Sequence, residues 1–273
     1  METTFLTAKL PDLAKSPLSE TIVNTSPVNS QPVNTVRTVS DTKRSFYSTH
    51  TRPINTIYRR VVEELMVETH LLSVNADFSY NSIYALGFVT AYERFMQGYQ
   101  PERDKELIFQ ALCQAINTDP NKHRQDAERL GNFAKNLSSQ DLTAWLSGEK
   151  PVDGYSDLQE QIKEIANNPK FKYSRLFAIG VFSLLELSDP ELVKDETKRE
   201  EAFKQISSSL HLPEDKLNKD LDLYRGNVEK MNQALIVMED MLAAERKKRQ
   251  RKADEQQAAL AAKSPDKPQD TAS

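Results

Sequence analysis

The chain has one cysteine, seven glycines, one tryptophan and four histidines in 273 residues. Each scarcity excludes something. A single Cys113 cannot form an intrachain disulfide or a multi-cysteine zinc site. It stands among Leu112, Ala115 and Ile116, which marks it as a small apolar core residue rather than a reactive thiol. Gly148 and Gly154 are the closest pair of glycines, so neither common phosphate-cradling glycine loop can be written into this sequence. No apolar run approaches the 18 or so residues of a membrane-spanning helix. The best candidate, LFAIGVFSLLEL over Leu176–Leu187, is short and interrupted by Glu186, and reads as a buried helix.

Catalytic signatures are missing as well. No H-E-x-x-H, G-x-S-x-G, Walker A or kinase motif is present. None of His50, His70, His123 and His211 follows a glutamate at the Glu-x-x-His spacing of helical di-metal sites. Glu63, Glu64, Glu68 and His70 lie within two helical turns, a grouping that charged helices produce by chance. The expectation is a non-enzymatic protein with no cofactor and no metal site.

Charge is unevenly spread beneath a net −4. Residues 41–244 carry 25 basic and 32 acidic side chains, whereas residues 245–273 carry eight basic and five acidic. An acidic body with a basic tail argues against a nucleic-acid partner.

What is present is helical grammar. Residues 1–37 are rich in Ser, Thr, Asn and Pro and are expected to be a disordered extension. They lack a secretory apolar region, and Glu2, Asp12 and Glu20 weigh against a plastid transit peptide. From Pro53 to Leu72, apolar residues recur at three and four, predicting the first strong helix, with Pro53 in its first turn. Asn81 or Ser82 should cap a second helix, reaching Gln97 and ended by Gly98. Its Tyr84, Phe88, Tyr92 and Phe95 form a stripe that suits a core. Further helices should open at Pro101-Glu102, at Asp119-Pro120 and after Ser139 and Asp141. Others are expected near 156–167, 172–187 and 190–210. The turn-rich KPVDGY over Lys150–Tyr155 divides a first core part, 38–150, from a second, 151–211. No alternating strand is evident. The fold class is all-α, a multi-helix bundle.

A long last helix is expected over 212–262, before a disordered tail, 263–273. Leu217, Leu221, Tyr224, Val228, Met231, Leu235, Met238 and Leu242 alternate four and three residues apart, a coiled-coil-like heptad seam. It could close against the body or against another chain, making an oligomer through this helix, and the sequence supports both equally. Directly after it comes RKKRQRK: Arg246, Lys247, Lys248, Arg249, Arg251 and Lys252. The bland reading is a solvated helix end, and the functional one is contact with an anionic membrane surface or a partner.

The longest informative phrase is TVSDTKRSFYSTHTRPINTIYRRVVEELMVETHLLSVN, from Thr38, with YALGFVTAYERFMQGY ending at Tyr99. This wording resembles the thylakoid formation protein family, photosystem II biogenesis factors of cyanobacteria and plastids. The likeness runs from about Thr38 to about Leu146, and more weakly beyond. It implies a non-enzymatic accessory factor for photosystem II biogenesis or repair and for thylakoid organisation. It also implies an FtsH-type membrane protease as partner, and a peripheral place at the thylakoid membrane surface. The wording is closer to the cyanobacterial form, implying the cytoplasmic side, with plastid stroma or envelope as the alternative. The resemblance brings no catalytic motif with it. Alternatives are a peripheral lipid-binding structural protein or a helical enzyme with a hidden metal site. Family members resembling this one begin near Val33, so residues 1–32 are expected to be absent from the native protein.

Overall fold

A computed structural model describes residues 36–262, with side chains to residue 259. The expectations for the extension and tail lie outside the described residues, apart from Val36 and Arg37.

Among the described residues every regular element is a helix. In order they are α1 (Val39–Thr49), α2 (Thr56–Ser73), α3 (Ser82–Phe95), α4 (Glu102–Ala115), α5 (Pro120–Lys135) and α6 (Ser139–Leu146). There follow α7 (Ser156–Asn167), α8 (Arg175–Ser188), α9 (Pro190–Lys194), α10 (Glu196–Ser209) and α11 (Glu214–Ala262). The unit that begins at Arg37 is a single compact body. The turn-rich stretch over 150–155 links α6 to α7 inside it.

Local chemistry sets the boundaries. Helix α1, which hydrophobic periodicity does not announce, starts at a reciprocal cap. The Asp41 N–H donates to Thr38 Oγ1 at 3.2 Å, and the Thr38 N–H donates to the Asp41 carboxylate at 3.1 Å. Helix α2 starts three residues later than Pro53 because Asn55 takes the cap, its Oδ1 accepting from the Ile57 N–H at 3.1 Å. Asn81 caps α3 as expected, accepting from the Tyr84 N–H at 2.9 Å. That helix stops at Phe95, and the chain turns through Gly98 at a φ of 75°. Ser174, Ser138 and Asp189 cap α8, α6 and α9. The span expected as one helix over 190–210 is two. Asp195 accepts from the Lys198 N–H at 3.1 Å and restarts the helix.

Helices α3 and α8 form the centre. Every residue of α3 from Ser82 to Phe88 is buried, as is every residue of α8 from Leu176 to Leu185. A helix apolar on all sides belongs inside. Their backbones touch at two glycines. A Cβ on Gly87 would stand 1.7 Å from the Leu176 carbonyl oxygen, and one on Gly180 would stand 2.0 Å from that of Ile83. Helices α5 and α11 pack against this pair, α2 packs on α3, and α1 and α4 complete that side. The stripe of α3 is core: Tyr84, Phe88 and Tyr92 are buried and Phe95 packs at the edge. Cys113 is fully buried, and burial pushes its thiol up to about 12.

Candidate interaction surface

The basic cluster and the heptad seam occupy one helix, α11, and the structure divides that helix in two. In its first half Leu217, Leu221, Tyr224 and Met231 are buried, and Val228 and Leu235 pack against the core. Tyr224 sets its ring edge-on to Phe95 at 5.7 Å and to Phe182 at 6.4 Å. Here the seam closes on the protein's own body. Met238 is half-buried, and every described residue from Glu239 to residue 259 is exposed. Leu242, the last seam position, is 47% exposed.

This exposed arm spans about 30 Å at 1.5 Å per residue, and Arg246, Lys247, Lys248, Arg249, Arg251 and Lys252 all lie on it. Arg249 pairs with Glu245 at 2.7 Å and Arg251 with Glu255 at 3.5 Å, each one turn apart. Such pairs hold an exposed helix together by a few tenths of a kcal/mol. Arg246, Lys247, Lys248 and Lys252 make no ion pair among the described residues. At 100° per residue the six cations surround the helix axis, so the arm is a positively charged rod.

Sequence reasoning passed over the apolar residues at the foot of the arm. Ile236, Val237 and Met241 are 57–68% exposed. Val237 and Met241 are one turn apart on a line beside the seam, with Leu242 next to them. The missed signal was a second four–three spacing, Ala234, Val237 and Met241, adjacent to the first.

The carboxylates grouped near His70 in the sequence are dispersed in the structure. Glu63 accepts from the Tyr47 hydroxyl at 3.0 Å, and Glu64 pairs with Arg60 at 3.1 Å. Glu68 pairs with Arg175 at 2.5 Å, tying α2 to the start of α8. Burial raises the Glu68 carboxyl, and the Arg175 guanidinium pulls it only part of the way back. His70 Nδ1 meets the Thr42 hydroxyl at 2.8 Å. Among the described residues no three His, Cys, Asp or Glu side chains come together as metal ligands would. Nor is any described helix long and apolar enough to cross a membrane.

His123 sits inside a ring of aromatics, with Tyr80, Tyr84 and Phe88 at 5.2, 6.0 and 5.4 Å. The Thr118 hydroxyl donates to the Cys113 carbonyl at 3.2 Å, so it accepts from His123 Nε2–H at 3.1 Å. Nδ1 is then left without a partner. Burial pushes this imidazole down to about 4. It is a neutral core histidine.

The family profile described as thylakoid formation protein matches residues 38–253 of this chain, a span that takes in the whole basic cluster. A protein called Thf1 from Nostoc punctiforme is 66% identical over 84% of this chain and 97% of its own length. Thf1 of Acaryochloris marina is 52% identical over 80% of this chain and 88% of its own. A solved structure described as Psb29 superposes with a TM-score of 0.68 at 41% identity, covering 78% of this chain and 98% of that one.

Proposed function

The chain belongs to the thylakoid formation protein family, and from that premise we propose that it is a helical accessory factor acting in thylakoid formation and photosystem II maintenance. In this reading it performs no chemistry of its own. It binds and supports an FtsH-type membrane protease, the partner that the sequence resemblance implies. The observation that carries the reading is the division of α11. The first half is welded to the body by Leu217, Leu221 and Tyr224, while the second half stands clear with six cations and an apolar foot. A folded body holding a charged rod in solvent is the form of an adaptor. It presents a docking surface, while the Glu68 carboxylate and the Arg175 guanidinium of the body pair with each other.

The arm sits at the surface of the thylakoid membrane, on the cytoplasmic side. Each Lys or Arg near an anionic leaflet contributes about 1 kcal/mol of attraction. Four cations without ion pairs among the described residues therefore give a reversible, salt-sensitive contact. The same observation favours a second reading, in which the lipid surface itself is the principal partner. Deletion of the gene separates the two. An accessory factor for the protease predicts a lowered protease level and slower removal of photodamaged photosystem II. Normal protease levels and normal repair in the deletion strain would defeat it.

A further inference from the structure

A cavity of about 370 Å³ opens between α2, α3, α8 and α11, away from the basic arm. Its floor is apolar, made by Leu65, Ala91, Phe95, Ile179 and Met231. All of these but Phe95 are buried. The volume falls within the range of small-molecule sites, roughly 300–1,000 Å³. Left empty, its walls would forgo dispersion contacts that a close-packed interior makes.

A slot walled by four helices and floored by apolar side chains suits a single unbranched chain such as an acyl tail. Charge selects the head. Arg60, Arg175 and Lys230 line the same cavity, with Glu64 as the one carboxylate among its lining residues. Arg60 is held by Glu64 at 3.1 Å and Arg175 by Glu68 at 2.5 Å. Lys230 is exposed and makes no ion pair among the described residues. A ligand entering here meets a positive rim and then an apolar floor.

We propose that this slot binds a single-chain anionic amphiphile, its acyl chain on the Leu65–Met231 floor and its negative head at Lys230. The class is a fatty-acid carboxylate or the phosphate of a monoacyl lipid. Such a site would give the protein a lipid ligand independent of any bilayer contact by the arm.

The test titrates the purified full-length chain with cis-parinaric acid, a fluorescent fatty acid, below its micelle concentration, with its methyl ester as the neutral arm. Saturable binding of one acid per chain is expected, with the ester at least five-fold weaker. Ala234→Trp, on the exposed lip of α11, should weaken the acid at least ten-fold with unchanged circular dichroism. Lys230→Glu should weaken the acid about five-fold and leave the ester alone. Displacement by palmitate or by lysophosphatidylglycerol then identifies the preferred head. Absence of saturable binding would overturn the proposal, as would unchanged binding in a folded Ala234→Trp variant. Equal affinity for acid and ester, or an acid affinity that Lys230→Glu does not change, would overturn the anionic head. No protease takes part, so the outcome is separate from the adaptor reading.

Discussion

Gly87 and Gly180 bring the backbones of α3 and α8 together, and neither tolerates a methyl group. A Cβ at Gly180 would overlap the Ile83 carbonyl, which belongs to a buried backbone that cannot retreat. Gly180→Ala is expected to cost about 3 kcal/mol or more, at the upper end of overpacking penalties. Gly226, with nothing within 4 Å of the same construction, is the control. Gly226→Ala should stabilise α11 by up to about 1 kcal/mol. Urea unfolding of both variants checks the pair. His123 sets a pH response at the same scale. The unfolded imidazole titrates near 6.5 and the native one near 4. Between those values the unfolded chain holds a proton that the native chain refuses, so stability falls as pH drops through this window. The loss from His123 should reach on the order of 2 kcal/mol by pH 5. His50 and His70, also pushed down by burial, act in the same direction. Urea curves at pH 7.5 and 5.0 should show the decline, and His123→Leu should make it shallower.

At the scale of elements, α11 should behave as two objects. Leu221→Ala, in the buried half, should cost about 2–4 kcal/mol as a large-to-small core change. A stop codon at Glu239 removes only exposed or undescribed residues, so the melting temperature should move by no more than a degree or two. A drop comparable to that of Leu221→Ala would mean that the arm packs on something. This element also shows how legible the sequence was. The four–three spacing gave the helix and its seam, because every turn of its first half repeats the same burial. It could not say where the seam would leave the body. Met238 and Leu242 look like Leu217 and Leu221 in sequence, and only the extent of the body beneath them decides which are covered. Helix α1 was illegible to periodicity, since its described buried residues are just Thr42 and Phe46. Its signal was the Thr38–Asp41 capping pair. The break at Asp195 was hidden for a similar reason, as no apolar residue stands between Val193 and Ala202 to show where one helix ends and the next begins. The lipid slot had no sequence signal, because its floor draws on four helices that are distant in the chain.

For the whole molecule, the central claim is that the body is a platform and the arm is its docking surface. Membership of the thylakoid formation family is carried by residues 38–253, so body and arm are both part of what the family shares. The fold itself follows from helices wrapped around α3 and α8, and no part of that core needs the six cations. Neutralising Arg246, Lys247, Lys248, Arg249, Arg251 and Lys252 to Gln should therefore leave folding intact and change binding alone. The decisive measurement is co-isolation from solubilised thylakoid membranes, with tagged full-length chain and the six-fold Gln variant at equal expression. The account predicts that the FtsH-type protease is recovered with the parent chain, and that at least ten-fold less comes with the variant. Equal recovery with both, or no protease with the parent chain, would contradict it.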